Sequence, residues 1–94
     1  MTIRKALGQA LRSIRTTRGL TQEDFSDVSS RTYLSTLERG LKSPTLDKLE
    51  EIASTLNVHP LSLIALAYAN QEQLAVGVML DAIRSELDRL QSSD

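Results

Sequence analysis

The 94-residue sequence predicts an all-α fold, with five short helices in one small domain and a sixth helix appended at the C-terminal end. Three observations carry that prediction. Apolar residues recur at three- and four-residue steps in one stretch after another. Good capping residues stand before these stretches, and Gly19, Gly40 or Asn57 stands after them. The final stretch keeps the stepping regular enough to read as a heptad-like seam.

The first helix runs over residues 3–18. Ile3, Leu7, Leu11 and Ile14 form its apolar stripe with Ala6 and Ala10 beside them, while Arg4, Lys5, Arg12, Arg15 and Arg18 take the remainder. Gly19 stops it, and Leu20 serves as a hydrophobic staple to the next start. Thr21 with Asp24 makes a capping-box-like start for a second helix, Gln22 to Val28, with Phe25 and Val28 inward. Ser30 is the expected N-cap of a third helix, whose buried side is Leu34 and Leu37 and whose left-handed C′ residue is Gly40.

A surface loop, Leu41 to Thr45, follows with Lys42 at its basic tip. Pro44 disfavours a helical Ser43, and Thr45 caps a fourth helix that buries Leu46, Leu49, Ile52, Ala53 and Leu56. Asn57 ends it. His59 at N-cap and Pro60 at N1 start a fifth helix with Leu61, Leu63, Ile64, Ala67 and Tyr68 as its apolar surface. His59 has no carboxylate partner nearby in sequence, so it reads as a helix-start residue and not as a base or metal ligand. Asn70, with Gln73 three residues on, is expected to open the sixth helix. Residues 1–69 and 70–94 are thereby divided into a domain and an appended helix. From Val76 the seam Val76, Leu80, Ile83, Leu87 and Leu90 steps by four and three, flanked by Asp81, Arg84, Glu86, Asp88 and Arg89. Such a seam suits a second copy of itself, hence a homodimer. The alternative is a last core helix lying back on the domain. Ser92, Ser93 and Asp94 are expected to fray.

Composition narrows the function classes. A chain of this length has too small a core for a deep catalytic cleft. It has no cysteine, so it offers no disulfide, thiolate metal site or redox centre, and its single histidine forms no cluster. No nucleophile–base pair, phosphate loop or metal spacing is present, so neither an enzyme nor a cofactor is expected. No apolar run approaches the roughly 20 residues of a membrane span, and no signal-peptide core opens the chain. A cytoplasmic protein away from membranes is the expectation.

The net charge of −1 hides a division by position. Residues 1–48 hold nine Lys/Arg against five Asp/Glu, a balance of +4; residues 49–94 hold two against seven, a balance of −5. The basic half suits a polyanion. Within it, the outer face of the third helix carries Arg31, Thr32, Ser35, Thr36 and Arg39, which are donor-rich and short or forked. A helix with a dry seam on one side and this face on the other suits a DNA major groove.

The segments LRSIRTTRGLTQED, RTYLSTLERG and SPTLDKLEEIASTLNV, in this order, resemble the lambda-repressor/Cro-type (XRE-type) helix-turn-helix family over about residues 3–68. The resemblance implies a lambda-repressor-like fold and a sequence-specific transcriptional regulator, most simply a repressor, bound to double-stranded DNA at a pseudo-palindromic operator. It implies a phosphate contact for Gln22. Arg31, Thr32, Tyr33, Ser35 and Thr36 take positions facing base edges or nearby phosphates, and Lys42 and Ser43 touch the sugar-phosphate strand. It also pairs Arg15 with Glu38, which a partly dry carboxylate after Leu37 would require.

At N1, Arg31 can read guanine O6 and N7 or clamp a phosphate. Tyr33 can meet sugar or a thymine methyl, or pack sideways. Arg39 touches phosphate or stays solvated. One departure stands out: Asp27-Val28-Ser29-Ser30 has no glycine and about two residues fewer than most members of the family have before the third helix. A shorter second helix or a tighter turn must follow. A reading from another class is a helical protein-interaction module or antitoxin, whose acidic half binds a protein partner; the basic face of the third helix is what such a module would not need.

Overall fold

The computed structural model describes residues 1–92. It is helical throughout: α1 (Ile3–Thr17), a single 3-10 turn (Gln22–Phe25), α2 (Arg31–Glu38), α3 (Leu46–Leu56), α4 (Pro60–Glu72) and α5 (Val76–Gln91), with no strand among the described residues. The all-α expectation holds.

Local chemistry sets most of the boundaries. Each helix start leaves N–H groups without intrahelical acceptors. Ser30 Oγ accepts from the Tyr33 N–H at 3.1 Å, and Thr45 Oγ1 accepts from Lys48 N–H at 3.1 Å. His59 Nδ1 accepts from Leu61 N–H at 3.0 Å, with Pro60 at the position that needs no donor. Helices α1 to α4 end alike, on a left-handed residue at Gly19, Gly40, Asn57 and Gln73. The next N–H in each case folds back on the last turn: Leu20 to Arg15, Leu41 to Thr36, Val58 to Ala53 and Leu74 to Ala69.

Phe25, Leu34, Ile52, Leu56 and Leu63 are the largest fully buried side chains, one or two from each of the 3-10 turn, α2, α3 and α4. Each contributes about 1.5–3 kcal/mol by leaving water. Helix α1 packs most extensively on α4 and meets the end of α2 at Gly8. The approach to α2 is close. A Cβ on Gly8 would lie 2.5 Å from the carbonyl oxygens of both Leu37 and Glu38, and one on Gly40 would lie 2.7 Å from the Lys5 Cα. Backbone-to-backbone packing therefore fixes α2 against α1.

Four expectations need correction. The second helix does not run to Val28: after the 3-10 turn the Val28 and Ser29 N–H groups both donate to the Phe25 carbonyl, and the chain turns at once into α2. Leu46 is 77% exposed, because the first turn of α3 runs past the core that Leu49, Ile52, Ala53 and Leu56 fill. Asn70 does not open a helix but lies within α4, which continues because Ala69 is still buried; α5 starts after Ala75 with no side-chain cap. Ser92 does not fray, since its N–H and hydroxyl both donate to the Asp88 carbonyl at 3.1 and 2.7 Å; Ser93 and Asp94 lie outside the described residues.

Helix α5 buries only Met79. Val76, Val78, Leu80, Ile83, Leu87 and Leu90 are all exposed. The radius of gyration is 14.4 Å, against about 12 Å for a compact chain of this length, and the long axis of 47 Å nearly doubles the other two. Among the described residues no single helix is long and apolar enough to cross a membrane.

Candidate nucleic-acid interface

One carboxylate organises the base of the candidate interface. Glu38, at the last position of α2, accepts from Arg15 Nε at 2.6 Å and Nη2 at 3.0 Å, a forked arrangement. The third arm of the guanidinium, Nη1, donates to the Leu20 carbonyl at 2.9 Å. Gln22 Nε2 donates to Glu38 Oε1 at 3.3 Å. Four pieces of chain meet here: late α1, the link after it, the 3-10 turn and the end of α2. The side chains of Arg15 and Glu38 are only 12% and 5% exposed. The hydrogen bonds to Glu38 raise the Arg15 pKa above its ordinary value, partly offset by burial, with the Glu38 charge adding to the rise. Arg15 is therefore a fixed cation, committed to the fold and not free for an external anion.

The outward face of α2 is open. Arg31, Thr32 and Arg39 are exposed, and Ser35 and Thr36 are half-buried with the Thr36 hydroxyl donating to the Thr32 carbonyl at 2.8 Å. Tyr33 is half-buried and packs against the hydrophobic core, so its ring leans sideways while Thr32 faces outward. Lys42 and Ser43 are exposed in the loop before α3. Gln22 is half-buried, held by Glu38 at the edge of the face. The structure thus places Gln22 on the 3-10 turn, Arg31, Thr32, Ser35 and Thr36 on α2 and Arg39 at its C-cap, with Lys42 and Ser43 beyond that end.

Three features of the site have no clear sign in the sequence. Lys48 of α3 donates its ammonium to the Val28 carbonyl and pairs with Glu51 at 3.0 Å, tying the glycine-free turn to α3. Glu23 pairs with Arg31, its Oε1 lying 3.6 Å from Nη1. Gly8 makes room for the end of α2. The first and third depend on chain segments 20 or more residues apart, the second on the turn that brings Glu23 back beside the start of α2.

The fold matches that of known proteins. A family model described as helix-turn-helix matches residues 11–63. An HTH-type transcriptional regulator, y4dJ, of Sinorhizobium fredii is 41% identical over 66 residues, covering 68% of this chain and 86% of that one. The control protein C.BamHI of Bacillus amyloliquefaciens is 38% identical over 65 residues, 66% of this chain and 80% of its own. The crystal structure of the clp gene regulator ClgR from Corynebacterium glutamicum superposes with a TM-score of 0.69 at 29% identity, spanning 96% of this chain and 90% of that one. The chain belongs to the helix-turn-helix family of lambda-repressor/Cro (XRE) type, a family of DNA-binding transcriptional regulators.

Proposed function

We propose that this protein binds double-stranded DNA as a homodimer, reads a pseudo-palindromic operator with α2 in the major groove of each half-site, and represses transcription by occluding a promoter. The observation that carries this reading is the face of α2: exposed Arg31, Thr32 and Arg39 on a helix whose other side holds fully buried Leu34. Arg31 opens the helix and is the base reader, with Thr32, Ser35 and Thr36 alongside it. Gln22, Lys42 and Ser43 contact phosphates at the two ends of the face, fixing register. Tyr33 contributes its edge to the groove wall.

One small module buries little DNA surface, so two are needed for useful affinity. The exposed apolar seam of α5 supplies the second copy: Val76, Leu80, Ile83 and Leu87 lie along it, with Leu90 beyond. The protein acts in the cytoplasm, where its DNA is, and needs no cofactor. Selection of bound sequences from random duplex DNA tests the reading. Recovered sites should be inverted repeats with half-site centres about 10 bp apart, one helical turn. Recovery of no enriched sequence would sink it.

A further inference from the structure

Glu23 is the odd charge in this interface. It stands next to Gln22 at the edge of a face meant for a polyanion, and its carboxylate lies 3.6 Å from Arg31 Nη1. The two side chains, Arg31 and Glu23, are 72% and 77% exposed, so neither supports the core. Together with Arg15, Thr21 and Gln22 they border a polar concavity of about 430 Å3 at the entry to α2. The Glu23 backbone carbonyl accepts from Ser26 N–H, and its carboxylate stands in the first turn of the 3-10 helix. The other carboxylate of this turn, Asp24, is engaged with the Thr21 N–H at 2.7 Å and its hydroxyl at 3.1 Å. The Glu23 side chain is left with Arg31.

We propose that Glu23 is a positioning residue for specificity, pairing with Arg31 so that this guanidinium is withheld from phosphates and offered to uncharged base acceptors. The proposal rests on the reading above, in which Arg31 enters the groove. A guanidinium has five N–H donors, and one carboxylate at Nη1 leaves the others available. Guanine O6 and N7 are acceptors without net charge. They can join Arg31 while Glu23 stays beside it. A phosphate at the same place would sit within a few ångströms of the carboxylate, far inside the Debye length of about 10 Å at 0.1 M salt, and would be repelled. An exposed ion pair holds weakly by itself. The discrimination therefore comes from the negative charge placed at the guanidinium, which penalises Arg31–phosphate contact more than Arg31–guanine contact.

The test is Glu23→Gln, which keeps the size and hydrogen-bonding reach of the side chain and removes its charge. Binding to the selected operator and to an unrelated duplex is titrated across a salt series, for wild type and for Glu23→Gln, in backgrounds carrying Arg31 or Arg31→Ala. A freed Arg31 gains one phosphate contact per protomer on the unrelated duplex. The salt slope should steepen by about 0.9 per protomer, which is roughly eightfold tighter binding at 0.1 M than extrapolation from 1 M without that contact. Operator affinity should change less, so the ratio of specific to non-specific binding falls. With Arg31→Ala, Glu23→Gln should leave the slope nearly unchanged. If the gain persists without Arg31, Glu23 is a general repulsive charge and the proposal fails. If wild type prefers its operator but Glu23→Gln leaves the ratio and slope as they were, the proposal fails alone. A wild type with no sequence preference would overturn the DNA reading and the proposal with it.

Discussion

Two arginines in this interface have the same chemistry and opposite assignments, and burial separates them. Arg15 spends its whole fork inside the protein, on Glu38 and the Leu20 carbonyl. Arg31 has one exposed partner, Glu23, and faces solvent. Arg31→Ala should therefore leave folding intact and cost about 1–3 kcal/mol on the preferred operator, relaxing preference at one base pair per half-site. Lys42→Ala should weaken all sequences alike and make the salt slope shallower by about 1. Equal losses on specific and random duplexes for both variants would reduce Arg31 to a phosphate clamp. Arg15 belongs to stability instead. Removing Glu38 alone leaves a nearly dry cation, so Glu38→Ala should approach the 3–5 kcal/mol known for breaking a buried pair, far above the 0–1 kcal/mol of an exposed one. Chemical denaturation of Arg15→Ala, Glu38→Ala and the double variant gives the coupling directly. A coupling below about 0.5 kcal/mol would mean that the two charges act independently. Because the Arg15 pKa is raised above its ordinary value, titration of this guanidinium removes its share of stability only in strong alkali. Thermal unfolding of wild type and Arg15→Ala should differ by the same amount from about pH 6 to pH 9.

At the scale of the helix, what could be read in the sequence was what neighbouring residues decide among themselves. The caps Ser30, Thr45 and His59 and the stops Gly19, Gly40 and Asn57 all act within five residues. Where a distant element intervenes, local preference gives way. Asn70 is a good N-cap by chemistry, yet burial of Ala69 carries α4 past it to Gln73, a residue with no strong claim to the left-handed region it occupies. The shortened turn was visible as a missing glycine. Its remedy, Lys48 reaching from α3 to the Val28 carbonyl, was not, because a lysine in a polar helix face looks the same whether or not it has a buried target. Gly8 is the sharpest case. In an open helix interior, Gly→Ala gains about 1 kcal/mol. Here a Cβ would meet two backbone carbonyl oxygens at 2.5 Å, and backbone cannot swing aside as a side chain can. Gly8→Ala should thus destabilise by about 1–3 kcal/mol, the usual cost of overpacking. It should also loosen DNA binding, since the displaced end of α2 carries Glu38 and, through it, Gln22. A thermal melt shows the sign at once: a rise would mean that the α1–α2 contact yields more easily than its geometry implies.

For the whole molecule the question is what α5 is for. A free helix of about 16 residues is marginal in water, and this one buries only Met79 against its own domain. Its remaining apolar side chains continue onto exposed Leu61 and Tyr68 of α4, with Met79, Leu80 and Ile83 lining a shared groove of about 360 Å3. That surface is larger than the domain can use. The structural break at Gln73 and Leu74 gives a cleaner cut than Asn70, because the Leu74 N–H closes α4 on the Ala69 carbonyl. A chain ending at Leu74 retains Phe25, Leu34, Ile52, Leu56 and Leu63, every fully buried large side chain, and should stay folded. It should sediment as a monomer and lose operator affinity by far more than it loses stability, because two linked modules bind with an effective concentration that one module lacks, worth 10²–10⁴ in typical cases. Leu87→Asp should reproduce both effects in the full chain, since Leu87 is exposed and its loss costs the domain no packing. Sedimentation and operator titration of the two variants side by side decide the matter. A truncated chain that remained dimeric would place the interface on α4 around Leu61 and Tyr68, and one that unfolded would make α5 part of the core after all.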